Sequence, residues 1–162
     1  MNEQVQSELK NFFNDRFSTS LSTRTNYARG EDTFDPVLSK AVVFPETNAE
    51  VSKILKLCNN HKVPVVPYGT GTSLEGNVVG NENGITISLE KMNKILSVNN
   101  EDFDCRVQAC VTKEQLNDYL REDGIFFPID PGANAAIGGM ASTSASGTMA
   151  VKYGTMKTVI TG

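Results

Sequence analysis

Residues 41–73 decide the fold, and they read AVVFPETNAEVSKILKLCNNHKVPVVPYGTGTS. The apolar run 41–44 predicts a short strand that Pro45 ends. Thr47 and Glu50 then have the spacing of a capping box, which predicts a helix with Thr47 as its N-cap. Apolar residues follow at helical period and are expected to face a sheet: Val51, Ile54, Leu55 and Cys58.

The run 63–67 predicts the next strand, and its two prolines favour an exposed edge or irregular ends. A short strand, a helix and a second short strand form the βαβ pattern. This order predicts parallel pairing of the two strands with a right-handed crossover, and therefore a mixed α/β fold.

Other patterns extend this organisation toward both ends. An apolar face of Val5, Leu9, Phe12 and Phe13 predicts a helix over residues 3–14. The polar stretch 18–36 is interpreted as an irregular connector. Further strands are predicted over 85–89, 95–98 and 105–109.

A second capping box, Thr112 and Gln115, predicts another helix. Its inner face is predicted to carry Leu116, Tyr119 and Leu120, and Gly124 lies where a C′ glycine would end it. Small residues dominate 128–162, which predicts a segment too poor in large apolar side chains to build its own core. The chain stops at Thr161-Gly162, directly after the apolar Val159-Ile160, which is interpreted as a cut through a domain.

Composition excludes several classes of function. The formal net charge of −4 argues against nucleic acid as the main partner. His61 is the only histidine, so a His-rich metal site is excluded and no metal is predicted. The three cysteines are odd in number and form no CxxC pair, which favours free thiols in a reducing compartment. Cys105 and Cys110 are interpreted as apolar filler.

Targeting signals are not apparent in the sequence. No apolar run approaches the roughly 20 residues that span a bilayer. The N-terminal residues 1–13 resemble neither a secretory signal nor a transit peptide. A cytoplasmic location is predicted, and peripheral contact with a membrane stays open.

The first candidate site directly follows a predicted strand. It consists of Pro67, Tyr68, Gly69, Thr70, Gly71, Thr72 and Ser73. Its glycines allow consecutive backbone N–H groups to point into one concavity, and its hydroxyls add neutral donors, as a diphosphate requires. It lacks the lysine of a Walker A loop and the following helix of a Rossmann site. A flexible Gly/Thr turn is the alternative interpretation.

The second candidate site lies in the small-residue segment. Its members are Pro131, Gly132, Gly138, Gly139, Ser142, Ser146 and Gly147. They could lay backbone donors and hydroxyls along an extended ligand, although close packing of small residues is the alternative. Together, the two segments suggest one extended, phosphate-containing cofactor held between two lobes.

These motifs, in this order and spacing, resemble one protein family. They are Phe44-Pro45 with the helix after it, residues 65–76, residues 130–147 and residues 153–156. The family is the FAD-linked oxidases with a PCMH-type (vanillyl-alcohol oxidase-like) FAD-binding domain. The chain is most similar to its branch of D-lactate dehydrogenases and glycolate oxidase FAD subunits, from about Thr25 to the last residue.

The resemblance implies two α/β lobes with FAD between them. Residues 1–36 would form a helix and connector, 37–90 the first lobe, and 91–162 a second lobe that is incomplete at its C-terminus. The loop 67–73 would hold the FAD diphosphate, and residues 131–147 would run beside the isoalloxazine and ribityl parts. Tyr153 and Gly154 would close the same pocket, whereas Ser144 and Met149 depart from the expected pattern.

The implied reaction is oxidation of a 2-hydroxy acid, such as D-lactate or glycolate, to the 2-oxo acid, with hydride transfer to the flavin N5. The substrate-binding and catalytic residues are expected beyond Gly162, so none is predicted within this chain, which should be inactive alone. FAD is expected to bind non-covalently. The alternatives are a stand-alone flavin- or nucleotide-binding module and a structural domain whose glycines serve packing.

Overall fold

The computed structural model describes residues 3–161 and divides into two compact units, Met1–Lys91 and Met92–Gly162. Each unit contains its own β-sheet. Within the described residues, no helix is long and apolar enough to cross a membrane. The mixed α/β class predicted from the sequence is confirmed.

The first unit is built on a four-stranded sheet. Its strands are β1 (Phe17–Ser18), β2 (Ala41–Val43), β3 (Val65–Tyr68) and β4 (Ile85–Ser88), and their order in the sheet is β1-β2-β4-β3. β2 and β3 both run parallel to β4, while β1 pairs antiparallel with β2.

The predicted direct pairing of the two strands in the βαβ unit is wrong, because β4 lies between β2 and β3. All four residues of β4 are buried, so it occupies a position covered on both faces and bonded along both edges. The edge position of β3 is confirmed. Pro67 has no N–H for a ladder, and an edge strand tolerates that loss.

Two helices pack their apolar faces together in this unit, α1 (Glu3–Phe13) and α3 (Asn48–Asn60). They share one core with the sheet, and its helical members are Val5, Leu9, Phe13, Ile54 and Cys58. Full burial of each large apolar side chain contributes about 1.5–3 kcal/mol. The predicted inward positions of Phe12 and Leu55 are wrong, because both side chains are exposed.

The connector predicted over 18–36 is not wholly irregular. A short helix, α2 (Leu21–Asn26), begins after Ser20, whose hydroxyl accepts a hydrogen bond from the Thr23 N–H. Serine at the N-cap satisfies one of the backbone donors that the first helical turn leaves without a partner. The high Ser/Thr content of this stretch therefore supports a helix end as well as turns.

One ion pair joins the segment before β1 to helix α3. The Arg16 guanidinium donates to both carboxylate oxygens of Glu50, at 2.8 and 2.6 Å, and also to the Phe44 carbonyl at 3.2 Å. Both charged side chains are largely buried. Hydrogen bonding by Arg16 lowers the pKa of Glu50 from 4.5 to about 2.

The second unit begins with an antiparallel hairpin of β5 (Ile95–Asn99) and β6 (Asp104–Val107). Helix α4 (Lys113–Leu120) follows, with Thr112 as N-cap, as predicted. Gly124 has φ of 70° and ends the helical region in a left-handed conformation, also as predicted. Tyr119 is 58% exposed, so its predicted place on the inner face is wrong. Cys105 is also exposed, so its interpretation as apolar filler is wrong, whereas Cys110 is buried.

Three short helices complete the second unit: α5 (Ile137–Ser142), α6 (Ala150–Tyr153) and α7 (Met156–Val159). The prediction that this segment builds no core of its own is wrong. A buried cluster contains Ile129, Ala135, Met140 and Met156. The unbranched methionine side chains fill irregular gaps between the small residues, which compensates for the shortage of larger apolar groups.

We predict that Glu50→Gln destabilises the protein by about 1–3 kcal/mol at neutral pH, because it removes the charge that Arg16 pairs with. The folded-state pKa of Glu50 is depressed, so its contribution is present above about 4.5 and is lost as pH falls toward about 2. Urea unfolding of parent and variant over this pH range should show the deficit shrinking in acid.

Glu46→Gln is the matched control for this prediction. Glu46 lies 3.8 Å from Arg16, but its side chain is 52% exposed, so its loss should change the free energy of unfolding only slightly. Equal effects of the two substitutions would contradict the assignment of the stabilising pair.

Candidate cofactor-binding site

The loop 67–73 lies at the carboxyl end of β3 and begins the connection to β4. Gly71 has φ of 75°, a conformation that favours glycine. Gly71 is buried, and within residues 3–161 the backbone N–H groups of Gly71, Thr72 and Ser73 donate no hydrogen bond. Buried backbone donors are nearly always paired, so the buried Gly71 N–H, followed by two N–H groups of half-buried residues, indicates a place for a ligand with several acceptor oxygens.

Hydroxyl groups add to this donor set. The Oγ1 atoms of Thr70 and Thr72 lie 3.4 Å apart. Ser73 Oγ accepts from the Glu75 N–H at 3.3 Å and from Asn77 Nδ2 at 3.1 Å, so its own O–H remains able to donate. A cluster of neutral donors fits the oxygens of a diphosphate.

A segment forty residues earlier supports the loop from outside it. The Glu31 N–H donates to the Gly71 carbonyl at 2.9 Å, and the Tyr68 hydroxyl donates to the Arg29 carbonyl at 3.1 Å. A side chain at Gly30 would place its Cβ 2.5 Å from the Gly71 carbonyl oxygen. Sequence reasoning missed this segment, because only the folded chain brings residues 29–31 to the loop.

Two tyrosines lie next to the contact between residues 29–31 and the loop. The Tyr27 and Tyr68 rings meet edge to face, with centroids 5.0 Å apart. Burial raises the pKa of Tyr68, and the nearby Asp32 and Glu31 charges add to that effect. Burial and a hydrogen bond to Glu90 raise the pKa of Tyr27 to about 12. Both phenols therefore remain protonated at neutral pH, and Tyr68 keeps its role as a donor.

The structure separates the glycines of the second candidate segment into two groups. Packing explains Gly138, Gly147 and Gly154, because a Cβ there would approach Ala109 Cβ within 2.8 Å, the Asp130 carbonyl within 1.8 Å and Thr158 Oγ1 within 2.2 Å. At Gly132 and Gly139, in contrast, a Cβ would meet nothing within 4 Å. Internal packing does not require glycine at Gly139, which fits close approach by a ligand.

The polar side chains of this segment also differ. Ser142 Oγ donates to the Gly138 carbonyl at 2.8 Å, so its proton is already used. Ser146 is exposed, and its side chain makes no hydrogen bond within the described chain. Tyr153 meets Phe126 edge to face at 5.6 Å. Ser144 has φ of 51°, where asparagine or glycine fits more readily than serine.

An ion pair shapes the start of the segment. Lys113 Nζ lies 2.9 Å from Asp130 Oδ1, which also accepts from the Gly132 N–H at 3.0 Å. The Lys113 hydrogen bond lowers the pKa of Asp130. The Asp130 carboxylate therefore fixes the turn that contains Pro131. Pro131 itself is exposed.

The two candidate segments thus belong to different units, with 67–73 in the first and 131–154 in the second. His61 is the C-cap residue of α3. Among residues 3–161, no group of three His, Cys, Asp or Glu side chains could hold a metal ion. The donors of the loop 67–73 are neutral and suit the oxygens of a diphosphate.

Comparison with known families shows the family of the chain and its cofactor. Residues 39–162 match the family described as an FAD binding domain, so the chain belongs to that family, and FAD is its cofactor. The predicted PCMH-type fold and the resemblance drawn from the sequence are both confirmed.

The chain is also similar to D-lactate dehydrogenases and to a glycolate oxidase subunit. The chain is 45% identical over 140 residues to a probable mitochondrial D-lactate dehydrogenase of Danio rerio, covering 86% of this chain and 28% of that protein. It is 42% identical over 153 residues to a mitochondrial D-lactate dehydrogenase [cytochrome] of Arabidopsis thaliana, covering 93% and 27%. Glycolate oxidase subunit GlcD of Bacillus subtilis is 33% identical, over 75% of this chain and 26% of that one. The chain therefore spans about a quarter of these relatives' length.

Solved structures agree on the fold. An alkyldihydroxyacetonephosphate synthase superposes with a TM-score of 0.87 at 23% identity, over 97% of this chain and 32% of that one. A p-cresol methylhydroxylase with substrate bound gives a TM-score of 0.67 at 21% identity, over 90% and 30%. At these identities the similarity concerns the fold alone.

We predict opposite effects for alanine at two adjacent glycines. Gly139→Ala should stabilise the protein without FAD by about 0.5–1 kcal/mol, because alanine favours a helix and its methyl group meets open space. The same methyl group should weaken FAD binding if the cofactor lies against α5. Thermal unfolding without FAD and an FAD titration measure the two effects.

Gly138→Ala is the matched control. Its methyl group would lie 2.8 Å from Ala109 Cβ, so this variant should lose stability whether or not FAD is present. Unchanged FAD affinity in the stabilised Gly139→Ala variant would remove Gly139 from the site.

Proposed function

We propose that this chain is the flavin-binding part of an FAD-dependent dehydrogenase or oxidase of 2-hydroxy acids. D-lactate is the leading substrate, and glycolate is the next. The observation that carries the proposal is that the buried Gly71 N–H, and the N–H groups of Thr72 and Ser73 after it, donate no hydrogen bond within residues 3–161. The family of the chain, an FAD binding domain, supplies the ligand that these donors would bind. The names of the most similar relatives support D-lactate or glycolate as substrate.

The proposed role of the loop 67–73 is to hold the FAD diphosphate. The N–H groups of Gly71, Thr72 and Ser73 would donate to its oxygens, with the Ser73 hydroxyl and one hydroxyl of the Thr70–Thr72 pair adding further donors. Fixed dipoles of this kind bind an anion without a paired cation, because each N–H carries a partial positive charge. Pro67, Tyr68 and Gly69 lead the chain from the sheet edge into this position.

The proposed role of the second segment is to lie along the flavin and ribityl parts. Gly139 and Gly132 offer open backbone, and Ser146 offers an exposed hydroxyl. The packing roles of Gly138, Gly147 and Gly154 make them supports for this surface. Tyr153 would cover one end of it, next to Phe126. Pro131 and Ser142 would shape the backbone there.

Bound FAD supplies the hydride-accepting chemistry for oxidation at the α-carbon of a 2-hydroxy acid. The residues of this chain would hold and orient the cofactor. We propose that the proton acceptor and the cations that bind the substrate carboxylate belong to the part of the protein outside this chain. Its one histidine, His61, ends helix α3 and is not part of either candidate segment.

The proposed cellular location is the cytoplasm, with contact to a membrane surface left open. The zebrafish and Arabidopsis relatives are named as mitochondrial. Cell fractionation followed by detection of the protein tests the location directly.

We predict that the chain, incubated with FAD and desalted, keeps the flavin absorbance bands. The Gly71→Val variant should lose these bands, because the valine side chain would fill the space in which the loop backbone and the cofactor approach each other. A Cβ at Gly71 would also lie 2.3 Å from the Tyr68 hydroxyl, so circular dichroism must show that the variant is folded. Asp118→Asn, an exposed change in the second unit, should keep the bands. Flavin retention by a folded Gly71→Val variant would refute the placement of the diphosphate.

We predict that the full-length protein reduces an artificial electron acceptor with D-lactate, and that these 162 residues alone do not. Glycolate and 2-hydroxyglutarate are the comparison substrates, and kcat/KM for each ranks them. Turnover by the 162-residue chain would contradict the proposal that the catalytic groups lie outside it.

A further inference from the structure

We propose that Asp32 is a positioning residue for the FAD diphosphate, acting through the backbone of residues 29–31. The inference rests on the proposed role of the loop 67–73 and adds a residue to it. Asp32 is not among the residues that the sequence motifs point to, and it precedes the first parallel strand.

The Asp32 side chain is 6% exposed, which is unusual for a carboxylate. Its two oxygens accept hydrogen bonds from the backbone on both sides. Oδ2 accepts from the Gly30 N–H at 3.1 Å, and Oδ1 accepts from the Phe34 N–H at 3.1 Å. Charge-assisted hydrogen bonds of this kind fix the local backbone more firmly than neutral ones.

The backbone that Asp32 fixes is the same backbone that contacts the diphosphate loop. Glu31 donates its N–H to the Gly71 carbonyl, and Arg29 accepts from the Tyr68 hydroxyl. Gly30 lies between them, so close to the loop that a Cβ would be 2.5 Å from the Gly71 carbonyl oxygen and 3.1 Å from that of Ser73. All three residues therefore touch the loop, and one buried side chain sets their conformation.

The electrostatic cost of a buried Asp32 carboxylate indicates that its benefit lies in the backbone conformation that it fixes. A negative charge close to a diphosphate site opposes anion binding, and burying it has a further desolvation cost. Its charge contributes to raising the pKa of Tyr68, which keeps the phenol protonated and donating to Arg29. The orientation of the three loop N–H groups is the benefit that offsets these costs.

The test uses the full-length protein with Asp32→Ala and Asp32→Asn. Asparagine keeps one acceptor oxygen, so it should weaken FAD binding less than alanine, which should weaken it by at least about tenfold. The ³¹P NMR spectrum of saturating FAD is the second readout. Both variants should shift the diphosphate resonances, because the donors around the phosphates change orientation.

Two control variants separate positioning from general stability and charge. Asp35→Asn removes an exposed negative charge three residues along the chain and should change neither readout. Glu50→Gln should lower stability while leaving FAD affinity and the ³¹P resonances unchanged, since its ion pair is to Arg16. If Asp32→Ala does not fold, Gly30→Ala displaces the same backbone with the carboxylate intact and should give the same ³¹P shift.

The outcomes distinguish this inference from the function it rests on. A parent protein that binds no FAD overturns the proposed function, and the role of Asp32 with it. A parent that binds FAD, with Asp32 and Gly30 variants that match it in affinity and in ³¹P resonances, overturns the role of Asp32 alone. Weaker binding with shifted resonances supports both.

Discussion

The burial of β4 is the constraint on which the first unit depends. Ile85–Ser88 pairs with a parallel neighbour on each edge and has no exposed residue. Parallel neighbours cannot be joined by tight hairpins, so the chain must cross over between them. Helix α3 carries the chain from β2 to β3, on the far side of β4, and the loop beginning at Gly69 returns it from β3 to β4. Because parallel strands end at one edge of a sheet, the candidate diphosphate loop emerges where α/β folds commonly bind ligands.

The proposed binding role of the loop 67–73 depends on its backbone conformation. Gly71 adopts a left-handed conformation, and its carbonyl is held by the Glu31 N–H. While this hydrogen bond holds the Gly71 carbonyl, the N–H groups of Thr72 and Ser73 stay available to a ligand. Gly30 permits this contact because any side chain there would collide with the loop. Two glycines forty-one residues apart, Gly30 and Gly71, therefore serve one arrangement, Gly71 through its dihedral angles and Gly30 through its missing side chain.

The second unit shows that small residues serve different physical purposes within one segment. Gly138 and Gly147 permit close packing, whereas Gly139 leaves open space on an exposed helix face. Met140 and Met156 supply the apolar volume that the small residues lack. The proposed cofactor surface and a packed core therefore use adjacent positions of the same stretch. This proximity explains why the two interpretations of the segment could not be separated before its neighbours were placed.

The sequence by itself determined the local features and the family. Helix starts at Thr47 and Thr112 and the stop at Gly124 follow from hydrogen bonds and dihedral angles within a few residues. Only the tertiary structure placed β4 between β2 and β3, exposed Leu55 and Tyr119, and brought residues 29–32 to the loop. Helical periodicity predicts which side of a helix faces inward, but it does not decide whether a residue at the border of that side is buried. Contacts between distant segments depend on how the whole unit buries its apolar surface.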